Sequence, residues 1–580
     1  MAPTTLPRLP VFEAIAKHNP ESTVAVHSLS GRRFRYGELL GDVRKVRDQL
    51  VEAAGRPIGS DLNGERVGYM VENSYDYIVT LLAILAARAI AVPLSPSFPI
   101  PELQYIVDHS EALLAVSSPK FRAKVEELLA AELVKTPTHV PLQKHIGGSP
   151  HEEVELEEKA DTGKAGMMLY TSGTTNRPAM SLNQAWEYSA SDHFLHVLPL
   201  HHIHGTMNAI YTPLFAGSSV EFMFPFNADN VWKRFAAPFL PQAAETEEKK
   251  EKVTFFTVVP TVYSRLLATH KDLSPEMQAA TREAVSPANL RLNISGSAAL
   301  PTPIKQAWAT LSNGNVLLER FGMTEVGMAL SCGLDVEHRV DGSVGWPLPS
   351  VEARLVELDT GLLIKAGEEV EAESGRERAG EIQLRGPTIF AEYWRNPTAT
   401  ASEFAPAAEG DANQTAWFKT GDVAVRRPVD TVVKSAKASQ ADWTGSKMMY
   451  FILGRKSADI IKSGGEKVSA LEVERELLSL PVVSEAAVVA VPSGKWGQKV
   501  GAVIVLEKKG EHAVNKWTAM DMRRALKSRL VNYKIPQLLR VVDSIPRNAM
   551  GKINKKQLVA AVFEDDFSGD EAPAPKRQKA

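Results

Sequence analysis

The chain has 580 residues, 44% of them hydrophobic, and a net charge of −3. That is more than one hydrophobic core holds, since single cores stop growing at ~250–300 residues, so at least two domains are expected. The balanced charge gives no electrostatic footprint for nucleic acid or an anionic membrane, and a single cysteine, Cys332, excludes an internal disulfide and any multi-cysteine metal site.

In chain order, the first residues lack a charged segment followed by an apolar one, so no secretory signal is read there. "RVGYMV", "SYDYIVTLLAILAARA" and "AVPLS" then predict a strand, a helix and a strand. The apolar run in this unit is interrupted by Arg88 and falls short of the ~18 residues of a membrane span. "VEFMF", "VTFFTVV" and "RLNIS" repeat the alternation, each strand preceding a helix-like segment, which argues for parallel sheets covered by helices. Cys332, in "ALSCGLD", has no activating neighbour and reads as an ordinary half-buried thiol. Around 345–425 short strands and turn residues predict a more antiparallel β subdomain. After about 455, "EAAVVAVP", "VGAVIVLE" and "MDMRRALKSRL" predict a small α+β domain. Three polar stretches, 240–252, 365–380 and 426–447, read as surface loops. The fold class is therefore α/β. A large N-terminal domain (1–455) of helix-covered parallel sheets plus a β subdomain precedes a small mobile α+β domain (456–565) and a disordered tail (566–580).

Five segments carry chemistry. "MLYTSGTTNRPAM" runs from a strand end into Thr171, Ser172, Gly173, Thr174 and Thr175, whose amides and hydroxyls suit a triphosphate. It is not the Walker pattern, because no GxxxxGK[ST] is present. In "LERFGMTEVG", Glu325 is a hard oxygen ligand able to hold Mg²⁺ against phosphates. Asp422 in "WFKTGDVA" suits both ribose hydroxyls, and Arg455 in "GRKSADIIKSGGEKVSALEVE" adds to that clamp. Lys552 in "IPRNAMGKINKKQL" places one flexible ammonium near a developing anion.

In this order the segments resemble the adenylate-forming superfamily of acyl-CoA synthetases, adenylation domains and luciferases, over residues 10–565. "LPLHHIHG", "VVPTVYSRL", "ISGSAALP" and "LLERFGMTEVGMALS" are most similar to the malonyl-CoA synthetases. The resemblance implies an ATP-dependent acid–thiol ligase with Mg²⁺ and coenzyme A, acting on malonate or on another short or dicarboxylic acid such as methylmalonate. It implies that Thr171–Thr175 bind phosphate, that Phe321 stacks on adenine, and that Asp422 and Arg455 hold ribose. Thr324 and Glu325 contact phosphate and Mg²⁺, Gly296, Ser297 and Ala298 line the adenine and acyl pockets, and His202 gates the acyl site. Lys552 becomes the adenylation lysine, on a domain that swings about Lys456–Ser457, while residues 462–469 line the thiol tunnel. The implied partners are a carboxylic acid and CoA, without nucleic acid or stable membrane insertion. The implied compartment is cytoplasmic, with a mitochondrial alternative.

An arginine at the acyl pocket suits a substrate whose far end is a second carboxylate, because burying that charge unpaired costs several kcal/mol. Arg320 is the first choice for that cation. For Arg265, pocket cation and surface arginine both stay open. His201 and His204 flank His202, but the cluster lacks an acidic partner, so zinc is not the preferred reading. One departure stands out. The superfamily loop continues Gly-x-Pro-Lys-Gly, whereas here Ala179 and Met180 replace the lysine and the last glycine, and the following helix is short by a few turns. An excised segment explains both changes, and a catalytically impaired relative becomes an alternative.

Overall fold

A computed structural model describes residues 5–170, 177–241, 250–407, 411, 413–430, 435, 437–493, 496–508, 514, 516–547 and 553–564. Thr171 to Thr175, Lys552 and the tail lie outside the described residues.

Strands Phe255–Val258, Leu292–Ser295 and His193–His196 are buried at every position, the pattern of sheet covered on both faces. They form the middle of a nine-stranded sheet that is parallel from Thr23–His27 through to Leu318–Met323 and antiparallel at its ends. A second, five-stranded sheet is parallel throughout and ends at the edge strand Gly166–Met167, just before the serine- and threonine-rich segment. The helix Tyr75–Ala86, which carries the long apolar run, is buried at all twelve positions, so it is a core helix. Among the described residues, no helix is long and apolar enough to cross a membrane.

The expected β subdomain is an antiparallel sheet of six strands, whose long pair Trp417–Pro428 and Met448–Arg455 runs toward the C-terminal region. Beyond it, strands from Ile460–Ser463 to Leu538–Val541 form a separate five-stranded sheet with its own core, packed by helices Ala470–Leu478 and Ala519–Leu526. Its hairpin Ile460–Ser463/Glu466–Ser469 rests against the β subdomain through Lys467–Asp359 at 2.5 Å and Arg376–Glu466 at 2.8 Å. The expected fold class is the observed one.

Two expectations need correction. Cys332 is fully buried rather than half-buried, its thiol donating to the Ser343 carbonyl at 3.4 Å. Burial in that apolar setting pushes it up to about 12. The stretch 426–447 is only partly a surface loop. It begins inside a strand, and Gln440, with no exposed surface, donates to the Ala185 carbonyl at 2.9 Å while accepting from Leu334 N–H at 3.2 Å. Lys437 and Ser439 both reach Glu187. The Gln440 contact closes the Ala185 carbonyl at the C-terminus of helix Arg177–Trp186, where the Trp186 carbonyl accepts from Arg291 at 2.9 Å. Composition marked this strap as solvent-exposed because its buried members are polar, and their burial rests on partners about 250 residues away.

Gln440→Leu leaves a buried carbonyl and a buried amide unpaired, and is expected to lower stability by about 1–3 kcal/mol. Thermal denaturation measures it. An unchanged melting temperature would show that the strap does not cap the helix.

Candidate active site

The site is built at the carboxyl ends of parallel strands, where open α/β sheets place their ligands. Strand Leu292–Ser295 delivers Gly296, Ser297 and Ala298, and its parallel neighbour Leu318–Met323 delivers Glu319, Arg320 and Phe321, with Ser295 paired to Glu319. Side chains alternate along a strand. Glu319 therefore turns to one face, where Lys305 meets it at 2.8 Å and Gly342 N–H donates to it at 3.1 Å. Arg320 turns to the other.

The Arg320 guanidinium is buried, and burial pulls it down to about 10. Its Nη2 donates to His204 Nδ1, and to Ser297 Oγ at 3.3 Å, while its Nε has no partner among the described residues. Among the described residues no carboxylate lies within ion-pair reach of it. Arg339 is likewise buried, with no ion pair among the described residues, but its guanidinium donates to backbone, to the Val316 carbonyl at 2.6 Å and the Leu334 carbonyl at 2.7 Å. Gly296 lies against Arg320, and a Cβ there would come within 2.5 Å of Nε. Ser297 sits at φ 67°, unusual for a residue with a Cβ, and with Ala298 it is exposed to the cleft.

The strand then turns back as a tight hairpin onto Gly327–Ser331. Gly322 allows it, since a Cβ there would meet the Gly327 carbonyl at 2.2 Å. Thr324 and Glu325 occupy the tip. Phe390 N–H donates to the Glu325 carbonyl at 2.7 Å and the Tyr393 hydroxyl donates to Oε1 at 3.1 Å, so residues of the β subdomain orient this carboxylate. Tyr393 was not singled out in the sequence. It lies 68 residues from Glu325, and nothing in "AEYWRNP" announces the contact.

Across the cleft, Asp422 and Arg455 are register partners on the long antiparallel pair, Arg455 Nε lying 3.1 Å from Asp422 Oδ1. Asp422 is buried, and its Oδ2 has no hydrogen-bond partner among the described residues, an acceptor suited to a sugar hydroxyl. Burial raises it to about 6 despite Arg455, and the charges of Asp459, Glu325 and Glu381 push the same way. Gly421, at φ 71°, makes the bend before it, its N–H donating to Glu381 at 3.1 Å.

The three histidines diverge. His201 and His202 lie ring to ring at 4.4 Å, with burial holding His201 down at about 3, and His202 opens the short helix Ile203–Thr206. His204 instead faces Arg320 and Thr257. Arg265 is exposed on helix Pro260–His270, opposite its buried Val262, Tyr263 and Leu266, and does not join Arg320. Ala179 and Met180 belong to helix Arg177–Trp186, where Ala179 is fully buried and Met180 exposed. Three residues past Lys552, Lys555 is clamped between Asp459 Oδ1 at 2.5 Å and Glu474 Oε1 at 2.7 Å. Asp459 Oδ2 in turn accepts from Arg455 N–H at 3.0 Å.

With this geometry in view, residues 12–394 match the AMP-binding enzyme family and residues 472–552 its C-terminal domain. The chain belongs to this adenylate-forming family. It is 53% identical to a CoA ligase of Gibberella moniliformis, over 96% of this chain and 95% of that protein. It is 36% identical to the mouse mitochondrial malonate–CoA ligase ACSF3, over 91% of this chain and 87% of that one. Among solved structures, ATP-bound MatB of Rhodopseudomonas palustris superposes with a TM-score of 0.73 at 26% identity, covering 96% of this chain and 99% of the other.

Asp422 tests the nucleotide side of the cleft. Its ionised form is the better hydrogen-bond acceptor, so a ribose binds the deprotonated protein preferentially and affinity falls as pH drops through about 6. Adenosine, which carries no phosphate to titrate, is expected to bind several-fold more weakly at pH 5 than at pH 7.5 by calorimetry. Asp422→Asn should flatten that dependence and weaken binding about 30-fold at pH 7.5, the equivalent of about 2 kcal/mol for a charge-assisted bond.

Proposed function

We propose that this AMP-forming CoA ligase activates malonate. The observation that carries the reading is Arg320, a buried guanidinium that lacks a carboxylate among the described residues and borders the cleft at Gly296 and Ser297. A substrate with a second carboxylate supplies the missing counter-ion and a bidentate partner. The similarity to malonate–CoA ligases supports the same choice.

In the first half-reaction one malonate carboxylate attacks the α-phosphorus of ATP, the bond to the β-phosphate oxygen breaks, and pyrophosphate leaves. Asp422 and Arg455 hold the ribose, Phe321 stacks on adenine, and the segment from Thr171 to Thr175 takes the phosphates. Lys552 stabilises the charge that builds on the attacking carboxylate and α-phosphate. In the second, the CoA thiol loses its proton, its sulfur attacks the acyl carbon, and AMP leaves. Mg²⁺ would neutralise phosphate charge when bound, held by Glu325 with Thr324 beside it. The fit is good, because a single carboxylate oriented by Tyr393 is the kind of partial ligand set that leaves the remaining positions to phosphate oxygens and water.

The two halves need different faces of the C-terminal region, which we take to begin at residue 456 and to turn about Lys456–Ser457, where one sheet ends and the next begins. The hairpin around Gly464 and Gly465 would then serve the thiol. A second reading, a nucleotide- and acid-binding relative with impaired turnover, is favoured by one observation: Ala179 is a buried helix residue, so no loop cation stands at that position.

CoA-dependent AMP release over a panel of acids tests the substrate. Malonate is expected to exceed acetate and butyrate in kcat/KM, and a preference for medium-chain monoacids would overturn the reading. Arg320→Gly should lower the malonate-to-butyrate ratio about 10- to 100-fold, as expected for removing a charge-assisted bond. Acid-dependent pyrophosphate exchange that disappears in Lys552→Ala excludes the impaired relative, and its absence in the unaltered protein supports it.

A further inference from the structure

A guanidinium that waits for its anion must be held in place by neutral acceptors, since a resident carboxylate would compete with the substrate. Two groups do this for Arg320: His204 Nδ1 and Ser297 Oγ, the same hydroxyl lying 3.4 Å from His204 Nδ1. An arginine only donates, so Nδ1 must be the bare acceptor nitrogen, and the ring proton sits on Nε2. Nε2 faces Thr257 Oγ1 at 3.1 Å, where that proton is received. The chain Thr257–His204–Arg320 thus fixes one tautomer and one guanidinium orientation. Burial, then the charge of Arg320, holds His204 well below its ordinary value, which keeps the ring neutral.

The backbone under His204 is equally fixed. Asn208 Nδ2 donates to the His204 carbonyl at 2.8 Å, and Gly205 is pressed on the preceding turn, where a Cβ would meet the Pro199 carbonyl at 2.5 Å. Thr257 belongs to the central strand Phe255–Val258 and is fully buried. The acceptor is therefore mounted on the rigid middle of the nine-stranded sheet, as the placing of a charged group to within a fraction of an ångström demands.

We propose that His204, oriented by Thr257, is the positioning residue that aims Arg320 at the distal carboxylate of the acid, and so sets the preference for dicarboxylic over monocarboxylic substrates. This rests on the malonate reading of Arg320. His204 does not touch the reacting atoms. It holds the Nη2 edge of the guanidinium, leaving Nε, which has no partner among the described residues, among the donors for the substrate.

The experiment compares His204→Leu, which removes the acceptor, with His204→Asn, whose side-chain oxygen can stand where Nδ1 stood. KM and kcat are measured for malonate and butyrate, KM for ATP, and the melting temperature for each protein. His204→Leu is expected to raise the malonate KM at least 10-fold, to move the ATP KM less than threefold, and to lower the malonate-to-butyrate ratio of kcat/KM about 20-fold. His204→Asn should recover most of that ratio. Should His204→Leu fail to fold, Thr257→Val, which frees the ring to rotate, is read in the same way with an expected three- to tenfold loss of ratio, restored in Thr257→Ser. Equal losses for both acids, or an Asn variant as unselective as Leu, would overturn the proposal. If the unaltered enzyme itself shows no preference for malonate, the underlying reading fails and this one with it. A preference that the His204 and Thr257 variants leave intact removes the positioning role alone.

Discussion

The constraint on which the site depends is the alternation of side chains along Leu318–Met323. Adjacent residues of one strand carry opposite charges to opposite faces, so Glu319 and Arg320 cannot neutralise each other. Glu319 is satisfied by Lys305 and the Gly342 amide, and burial still raises it above the ordinary carboxylate range. Arg320 is left with a histidine and a serine. The guanidinium is thus buried beside the cleft without a carboxylate among the described residues.

From the same strand the hairpin carries Phe321, Thr324 and Glu325 toward the β subdomain, which answers with Tyr393 and the Phe390 amide. Arg320, Phe321, Thr324 and Glu325 thus lie within six consecutive residues, held from both sides. Asp422 is separate in sequence but linked by charge: Glu325 helps to raise it, and it pairs with Arg455, whose amide is held by Asp459. Asp459 also receives Lys555, three residues past Lys552. A continuous set of polar contacts therefore runs from Asp422 to the helix Lys555–Val562.

Much of this was legible in the sequence, for identifiable reasons. Two-sided burial writes itself as apolar runs such as "FFTV", and strand alternation with helices gave the parallel sheets. Arg320, Glu325, Asp422 and Arg455 stand in local segments whose residue types match a chemical task. Arg265 could have been resolved further, because buried Val262, Tyr263 and Leu266 on the same helix leave position 265 on the outer face. What local pattern could not give were contacts made at long range between unremarkable residues. Tyr393 meets Glu325 across 68 positions and Gln440 meets Ala185 across 255. The histidine string told the same story in miniature: its presence was visible, but which ring faces the pocket depends on Thr257 in another strand.

The altered phosphate segment bears on chemistry more than on the acid pocket. Ala179 is not a loop residue with a missing charge; it is part of the main core, on a helix closed at its end by Gln440 and tied to the sheet by Trp186 donating to Ser331 at 3.0 Å. A lysine at that position would have to bury its ammonium among apolar side chains, at a cost of several kcal/mol. The helix and its strap therefore pack as part of the main core. Ser331, which accepts from Trp186, is the register partner of Arg320. The shortened segment is thus fastened to the very strand pair that carries Arg320.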